Sequence, residues 1–344
     1  MSVQTEPTTP SLDAVGEKVS ARRRALTKVF SATPFYLGGI LLLMAIVFSI
    51  LRPDAFPTPA NFRNILTDVS ILLVMAVGMT FVMVAGGFDL SIGSVLVFSG
   101  VMAAKTMGAV GGDGWMPVFA GLVVSVVAGT LWGVFNGFCI TRLRVPALIA
   151  TLGTMGAALG IARLITDGND VRTVPLSLIR FSVDEWLGLP ALVWISAAVA
   201  VLGGLALAYT RFGRHTYIVG SNAEAARRAG INVDRHLLKL YALSGLLAGA
   251  AGMMSLTRFS TTTIAGHTQD ALQVITGVVL GGTSLFGGVG TVVGTTVGMF
   301  ISAVLNNGLI VVDVKPFWQE VAIGFILIVA VFIDQRRRSR RDRG

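Results

Sequence analysis

The sequence contains few charged residues. Of its 344 residues only 13% are Asp, Glu, Lys or Arg, whereas 53% are hydrophobic and the mean hydropathy is +0.77. An average globular domain has about 25% charged residues, and apolar runs of about 20 residues, the length that spans a bilayer, recur along the whole chain. This composition disfavours a soluble protein with buried helices and predicts an all-α, polytopic membrane protein.

The sequence also lacks the usual motifs of ATP binding and catalysis. No G-x-x-x-x-G-K-[ST] motif is present, so the chain is not expected to bind ATP through a P-loop. We find no nucleophile–base pair, no paired carboxylates and no metal-ligand spacing. The histidines form no relay-like cluster, because His215 and His236 fall in one predicted loop and His267 in another. One cysteine, Cys139, cannot form an internal disulfide. The sequence therefore predicts neither an enzyme nor a metal site.

Ionisable residues are scarce within the predicted membrane spans. A proton- or sodium-coupled carrier normally needs carboxylates or histidines at mid-membrane to bind the ion. Their scarcity favours a neutral, polar solute over an ion. The net charge of +9 is attributed to basic cytoplasmic loops and not to nucleic-acid binding.

About ten apolar segments are predicted as membrane spans. With the N-terminus placed inside, most of the 27 Lys and Arg residues lie in inside segments, and this bias predicts that both termini are cytoplasmic. Residues 1–30 are predicted to be a disordered, basic-ended cytoplasmic tail, 31–335 a single transmembrane domain with a cytoplasmic loop at 211–236, and 336–344 a basic cytoplasmic tail. The predicted spans are 35–51, 65–86, 90–106, 117–140, 146–166, 189–210, 238–257, 270–285, 290–308 and 317–333.

The apolar run from Ile71 to Ala104 is too long for one span. A continuous helix of that length would extend about 50 Å, against a hydrocarbon core of about 30 Å. Gly86–Gly87 is where the chain can turn, because glycine tolerates positive φ and close backbone approach. Asp89 is predicted to be the N-cap of the next helix. Broken helices at membrane depth are tolerated only where they are buried in protein or line a cavity. Asp89 and Ser91 are therefore also candidates for contact with a hydroxylated solute.

A second copy of this pattern occurs later in the chain. VAGGFDLSIG, residues 84–93, matches VLGGTSLFGG, residues 279–288, at the valine, the glycine pair, the leucine and the last glycine. Such echoes are typical of duplicated transporter architectures. A looser echo pairs the Asn-Gly of 136–137 with that of 307–308. The candidate translocation-pathway residues are Gly86, Gly87, Asp89, Ser91, Asn136, Gly281, Gly282, Asn307 and Phe317.

GSNAEAARRAGIN, residues 220–232, is the other distinctive stretch. Asn222 is predicted to cap a short helix over Ala223–Ala229, which Gly230 ends. Glu224, Arg227 and Arg228 give this helix charged side chains. A weak apolar face makes an interfacial helix on acidic lipid the less favoured alternative, so the sequence predicts a docking helix for a cytoplasmic partner.

Six stretches of the sequence resemble the membrane permease subunit of bacterial ribose/xylose-type ATP-binding-cassette (ABC) sugar importers. The resemblance covers roughly residues 35–335, and the motifs together are highly specific. The stretches are GMTFVMVAGGFDLSIGSVLVFSG, NGFCITRLRVPALIATLGTM, GSNAEAARRAGIN, YALSGLLAGAAGMM, VVLGGTSLFGGVGTVVGT and NNGL…PFWQEVAIG.

The resemblance implies a multi-pass permease in the bacterial inner membrane that forms the translocation pathway for a neutral pentose or hexose. It implies three partners: a periplasmic sugar-binding protein, a second permease chain, identical or not, and a cytoplasmic ABC ATPase. ATP and magnesium are expected on the ATPase and no cofactor on this chain. The residues expected to couple to the ATPase are Asn222, Glu224, Ala225, Arg227, Arg228 and Gly230.

Two alternatives stay open at the level of the sequence. The first is a stand-alone secondary carrier. The second is an ABC permease for a nucleoside or an amino acid, although no pair of groups for an amino acid's ammonium and carboxylate is identified.

Overall fold

The computed structural model describes residues 33–267 and 269–315 and individual positions of a helical segment between 317 and 335. The predicted tails, 1–30 and 336–344, and about half of the predicted span 317–333 lie outside the described residues. The helices are α1 (Thr33–Leu51), α2 (Pro59–Val84), α3 (Ile92–Val110), α4 (Trp115–Thr141), α5 (Ala147–Thr166), α6 (Leu176–Val183), α7 (Ala191–Tyr209), α8 (Arg211–Ser221), α9 (Ala223–Arg228), α10 (Val233–Phe259), α11 (Asp270–Leu280) and α12 (Val292–Val311).

Seven of the described helices are long and apolar enough to cross a membrane: α2, α3, α4, α5, α7, α10 and α12. The all-α, polytopic prediction is therefore confirmed. The only described strands are β1 (Glu185–Trp186) and β2 (Leu189–Pro190), which pair antiparallel between α6 and α7. This short hairpin marks one end of the bundle, called here the hairpin end, and the helix pair α8–α9 marks the other, called the α9 end.

The predicted span 270–285 is wrong in its length. Helix α11 has 11 residues and stops at Leu280, which gives it a length of about 16 Å, half of a hydrocarbon core. It stops there because Gly281 and Gly282 follow, and Gly282 adopts a φ of +88°. Irregular backbone then runs from 281 to 291 before α12 begins.

Helix α10 packs closely against α4 along a seam of small residues. A Cβ atom on Gly129 or Gly133 of α4 would overlap backbone atoms of Gly245 or Tyr241 of α10. Without a hydrophobic driving force between helices in lipid, such close approach supplies van der Waals contact and lets polar groups meet. Ser125 of α4 uses this closeness to donate a hydrogen bond to the Gly249 carbonyl, 2.7 Å away.

Helix α2 lies at the centre of the bundle and is buried along most of its length. Thr58 caps its start by accepting a hydrogen bond from the backbone N–H of Asn61. Polar side chains tie α2 to its neighbours. Thr80 bonds Thr295 of α12 at 2.7 Å, and Ser196 of α7 donates to Ser70 at 3.1 Å.

Candidate functional site

The chain turns at both predicted glycine pairs, and both turns have the same backbone hydrogen bonds. At the end of α2 the amide of Gly86 donates to the carbonyl of Met83, and at the end of α11 the amide of Gly282 donates to that of Val279. The φ angles are +80° at Gly86 and +88° at Gly282. The first glycine of one pair therefore corresponds to the second glycine of the other. The structural repeat is displaced by one residue from the match between the sequences.

The two turns meet each other and the end of α8. The amide of Gly288 donates to the Val84 carbonyl at 2.8 Å. A Cβ atom on Gly220 of α8 would overlap that same carbonyl, and one on Gly287 would lie 2.8 Å from the amide of Gly86. Tyr217 of α8 donates its hydroxyl to the Gly290 carbonyl at 2.6 Å. Both turns are thus held at the α9 end.

Asp89 lies between the first turn and α3, and its carboxylate is buried, with 1% of the residue exposed. One oxygen, Oδ1, accepts hydrogen bonds from the backbone N–H and the hydroxyl of Ser91, at 3.1 and 2.6 Å. The other, Oδ2, accepts from the hydroxyl of Ser244 on α10 at 2.8 Å. The carboxylate therefore links the broken region to α10.

The network continues from Ser91 into α4 and α5. Asn136 of α4 donates to the Ser91 hydroxyl at 2.8 Å, and Thr154 of α5 donates to the side-chain carbonyl oxygen of Asn136 at 2.7 Å. On the other side of the break, Tyr241 donates to the Phe88 carbonyl at 3.0 Å. Four helices, α3, α4, α5 and α10, thus meet at one buried chain of hydrogen bonds, called here the Asp89 network.

The predicted N-cap role of Asp89 needs correction. Helix α3 begins at Ile92, its N-cap residue is Ser91, and no side chain caps it. Oδ1 of Asp89 accepts a hydrogen bond from the backbone N–H of Ser91, the cap residue itself, and Oδ2 accepts one from Ser244 of α10. Its two oxygens are paired and the residues around it are closely packed, so what the geometry supports is the joining of helices.

The predicted short helix is confirmed as α9, Ala223–Arg228, one residue shorter than the predicted Ala223–Ala229, and its docking role stays a prediction. The side chain of Asn222 accepts a hydrogen bond from the Ala225 amide at 2.9 Å, and Gly230 follows with a φ of +82°. Glu224 lies 3.4 Å from Arg228 on the exposed face of α9. The helix presents charge outward, while Ala226 is buried against the bundle.

A second set of ion pairs joins α9 to the start of α10. Asp234, in the first turn of α10, lies 3.4 Å from Arg227 of α9 and 3.1 Å from Arg144 in the α4–α5 connection. The three side chains are partly exposed, so the pairs contribute little to stability. They do fix where α9 lies relative to α4, α5 and α10.

Residues 61–331 match a protein family described as "Branched-chain amino acid transport system / permease component". The match extends over most of the chain, from the start of α2 into the last helical segment. The chain belongs to this permease family. Its relatives are transport components.

The chain aligns with several similar permeases over almost their whole length. The chain is 37% identical to the ribose import permease protein RbsC of Escherichia coli (strain K12), over 92% of this chain and 98% of the relative. It is 35% identical to the L-arabinose transport system permease protein AraH of the same strain, over 88% and 92%. It is 33% identical to the L-arabinose ABC transporter permease protein AraH of Azospirillum brasilense, over 99% and 98%. No solved structure matches the chain.

Two predicted pathway residues of this permease lie apart from the Asp89 network. Asn307 of α12 exchanges two hydrogen bonds with Asn61 at the start of α2, at 2.9 and 2.8 Å, and so joins those two helices. Phe317 is helical and 75% exposed. The structure therefore brings together Gly86, Gly87, Asp89, Ser91 and Asn136, but not Asn307 or Phe317.

Ser255, His267 and Asp270 form a hydrogen-bonded chain that the sequence analysis missed. His267 Nε2 lies 2.8 Å from Ser255 Oγ, and Nδ1 lies 2.6 Å from Asp270 Oδ2. The expectation of no relay-like cluster is therefore wrong. The spacing of His267 and Asp270, three residues apart at the start of an apolar helix, was the available signal. Within the described part of the chain no three His, Cys, Asp or Glu residues lie close enough to hold a metal ion.

Proposed function

We propose that the chain is the transmembrane permease subunit of an ABC importer and that it forms the translocation pathway for a neutral sugar of the pentose or hexose class. The observation that carries this proposal is the near-complete coverage of relatives named as ribose and L-arabinose permeases. The scarcity of ionisable groups within the spans agrees with an uncharged cargo.

The proposed arrangement is a bacterial inner-membrane protein with about ten spans and both termini in the cytoplasm. Seven described helices are long and apolar enough to be full spans. Helix α1, the half-length α11 and the segment between 317 and 335 account for the other predicted segments. The basic residues of α8 and α9 support a cytoplasmic α9 end under the positive-inside rule, and in this proposal the hairpin end faces the periplasm.

This orientation determines the end of the bundle at which each proposed partner binds. A cytoplasmic ATPase, which carries ATP and magnesium, docks on α9 through Glu224, Arg227 and Arg228. A periplasmic sugar-binding protein delivers the solute at the hairpin end, and a second permease chain completes the pathway. This chain itself holds no cofactor and catalyses no reaction in this proposal.

Coupling is proposed to follow two contacts of α9. Through Arg227 and Asp234, movement of α9 reaches the start of α10, which carries Ser244 of the Asp89 network. Through α8, it reaches both glycine turns at Gly220 and Tyr217. Because irregular backbone at membrane depth is tolerated only inside protein or beside a cavity, we propose that these turns border the pathway and that the Asp89 network positions it.

The central test is uptake by proteoliposomes that contain the permease, its ATPase and the sugar-binding protein. Labelled ribose or arabinose should enter only with ATP and with the binding protein present. Uptake by the chain alone under a proton gradient would instead establish a secondary carrier.

Coupling is tested in the same vesicles with Glu224→Ala and Arg228→Ala. We expect membrane insertion to be normal and the ratio of solute transported to ATP hydrolysed to fall at least about fivefold. The matched control is Arg180→Ala, which removes an exposed charge from α6 at the hairpin end. Parental ratios in both α9 variants would remove the proposed coupling role.

A second candidate cargo is a branched-chain amino acid, which the family's description names. Excess leucine should leave labelled ribose uptake unchanged if the sugar proposal is right. Leucine uptake that ribose does not inhibit would favour the second candidate.

A further inference from the structure

The chain Ser255–His267–Asp270 joins α10 to α11 on the hairpin side of the two glycine turns. Ser255 is in the next-to-last turn of α10, Asp270 is the first residue of α11, and His267 lies in the connection between the helices. The three residues are 4%, 8% and 7% exposed. Apolar packing could hold two helices without the cost of burying an imidazole and a carboxylate, so these side chains call for a role beyond packing.

The connection that carries His267 is irregular backbone packed against α3. A Cβ atom on Gly93, in the first turn of α3, would lie 2.7 Å from the His267 carbonyl oxygen. Helix α11 ends at the second glycine turn, at the α9 end, and is only half as long as a span. Its start and this connection therefore lie about halfway across the bundle, beside the first turn of α3. Backbone of this kind is found at depth only inside protein or beside a cavity.

A small cavity lies next to the connection. Ser255, Thr262, Thr263 and His267 line one side, and α3 lines the other with Leu96, Val97 and Gly100. Its volume of about 10 Å³ is room for about one water molecule. The hydroxyl of Thr263 is buried and has no hydrogen-bond partner among the described residues. The cavity is therefore polar on the side of the connection and closed to anything as large as a sugar.

Asp170 holds the first half of the connection. Asp170, from the α5–α6 connection, accepts hydrogen bonds from the Thr262 hydroxyl and the Ile264 amide, at 3.2 and 2.9 Å. Arg258 pairs with Asp68 of α2 instead, at 3.1 Å. His267 bonds both Ser255 of α10 and Asp270 of α11 and so joins the end of the connection to both helices.

The same residue types serve in serine hydrolases, but a cavity for one water has no room for an ester or a peptide. We propose instead that Ser255, His267 and Asp270 form a latch that closes the pathway on the hairpin side of the glycine turns, and that His267 is a positioning residue for transport. The latch holds residues 260–267 against α3 and α10, and its release lets this connection move away and the small cavity widen for the solute. The proposal rests on the proposed transport function.

The first test measures opening without any solute. In a Cys139→Ser background, Thr263→Cys places one thiol in the cavity, and its reaction rate with a membrane-impermeant maleimide reports access. Thr263 suits this probe because its hydroxyl bonds no described residue and because cysteine is close to it in size. We expect His267→Ala to raise the labelling rate at least about tenfold, and Asp270→Asn to raise it less.

Matched variants separate the latch from general loosening. Thr257→Ala removes a buried hydroxyl of α10 that bonds only its own helix, and it should leave the labelling rate unchanged. His267→Asn keeps an N–H near the position of Nδ1 and should restore most of the protection through Asp270. If His267→Ala does not accumulate, Ser255→Ala is read in its place, with an expected rise of at least about threefold. A parental labelling rate in the variant that is read overturns the latch.

The second test reads transport. We expect His267→Ala to lower sugar taken up per ATP hydrolysed at least about fivefold, with recovery in His267→Asn. Normal coupling in His267→Ala, in vesicles where the parent transports sugar, also overturns the proposal. If the parent transports no sugar, the proposed function fails, yet the labelling rates still decide whether the latch exists.

Discussion

At the scale of single residues, the buried carboxylate of Asp89 connects helices that are far apart in sequence. Its oxygens are shared between Ser91 beside it and Ser244 on α10. A charged group at this depth is costly unless its hydrogen bonds are satisfied. The hydroxyls around it provide that compensation, so replacing the carboxylate leaves buried donors without an acceptor.

Asp89→Ala should therefore destabilise the permease, and Asp89→Asn should do so less. Alanine leaves the hydroxyls of Ser91 and Ser244 without their acceptor, at a cost of about 1 to 3 kcal/mol. Asparagine keeps one carbonyl oxygen for Ser91. Thermal unfolding in detergent, followed by tryptophan fluorescence, measures the difference. The control is Thr130→Ala, whose hydroxyl bonds only the Val126 carbonyl of its own helix. Equal unfolding temperatures for parent and Asp89→Ala would contradict the prediction.

The sequence indicated which polar residues matter but not what they contact. Asp89, Ser91 and Asn136 stood out because polar residues are rare in apolar runs, and the structure joins all three. Asn307 stood out for the same reason but pairs with Asn61 on α2. The partners Ser244 and Asn61 lie far along the chain from Asp89 and Asn307, and Thr154 lies on the helix after that of Asn136. Neither spacing nor hydropathy records which helices are neighbours.

At the scale of elements, two glycine turns end α2 and α11 in the same way and then contact each other. Each turn needs one residue with positive φ, Gly86 in the first and Gly282 in the second. Residues with a Cβ atom adopt that conformation at a cost of roughly 1–2 kcal/mol. Glycine at these two positions is thus required by the backbone and not only by close packing.

Gly86→Ala should destabilise the permease by roughly 1–2 kcal/mol through backbone strain alone. A Cβ atom there would meet only the Phe286 carbonyl oxygen, at an ordinary contact distance of 3.7 Å. Gly153→Ala is the matched control, because Gly153 lies inside α5 and a Cβ atom on it would meet nothing within 4 Å. Denaturation in a detergent series gives the two stabilities. Were the variants equally stable, the turn at Gly86 would have to differ from the one described.

Element boundaries were predictable where local chemistry marks them. Asn222 and Gly230 bound α9 because an Asx cap and a glycine stop act within a few residues. The end of α11 at Leu280 was missed, because no charged residue interrupts the chain between the glycine pair and Leu285. Apolar character marks what can lie in a membrane, whereas the end of a helix depends on a φ angle that hydropathy does not report.

At the scale of the whole molecule, composition alone indicated the architecture. Scarce charge and recurrent apolar runs indicate a chain that crosses a bilayer. Because the bilayer core has no water, the backbone N–H and C=O groups must bond one another there, as they do in helices. The distribution of basic residues then fixed the proposed orientation. Packing and contact between the two glycine turns required the structure, since they depend on small residues in helices far apart in the chain.

The orientation predicts which sites react from each side of the membrane. Leu187, at the tip of the β1–β2 hairpin, is 91% exposed, and Arg228 of α9 has an 80% exposed side chain. Cys139 is buried, so a Cys139→Ser background gives a silent reference for single thiols. In spheroplasts, Leu187→Cys should react with an impermeant maleimide at once. Arg228→Cys should react only after the membrane is opened, because the proposed orientation puts α9 behind the bilayer. The reverse pattern would invert the topology and place α9 out of reach of any ATPase, whereas reaction of both thiols in intact spheroplasts would mean that the two ends lie on one side.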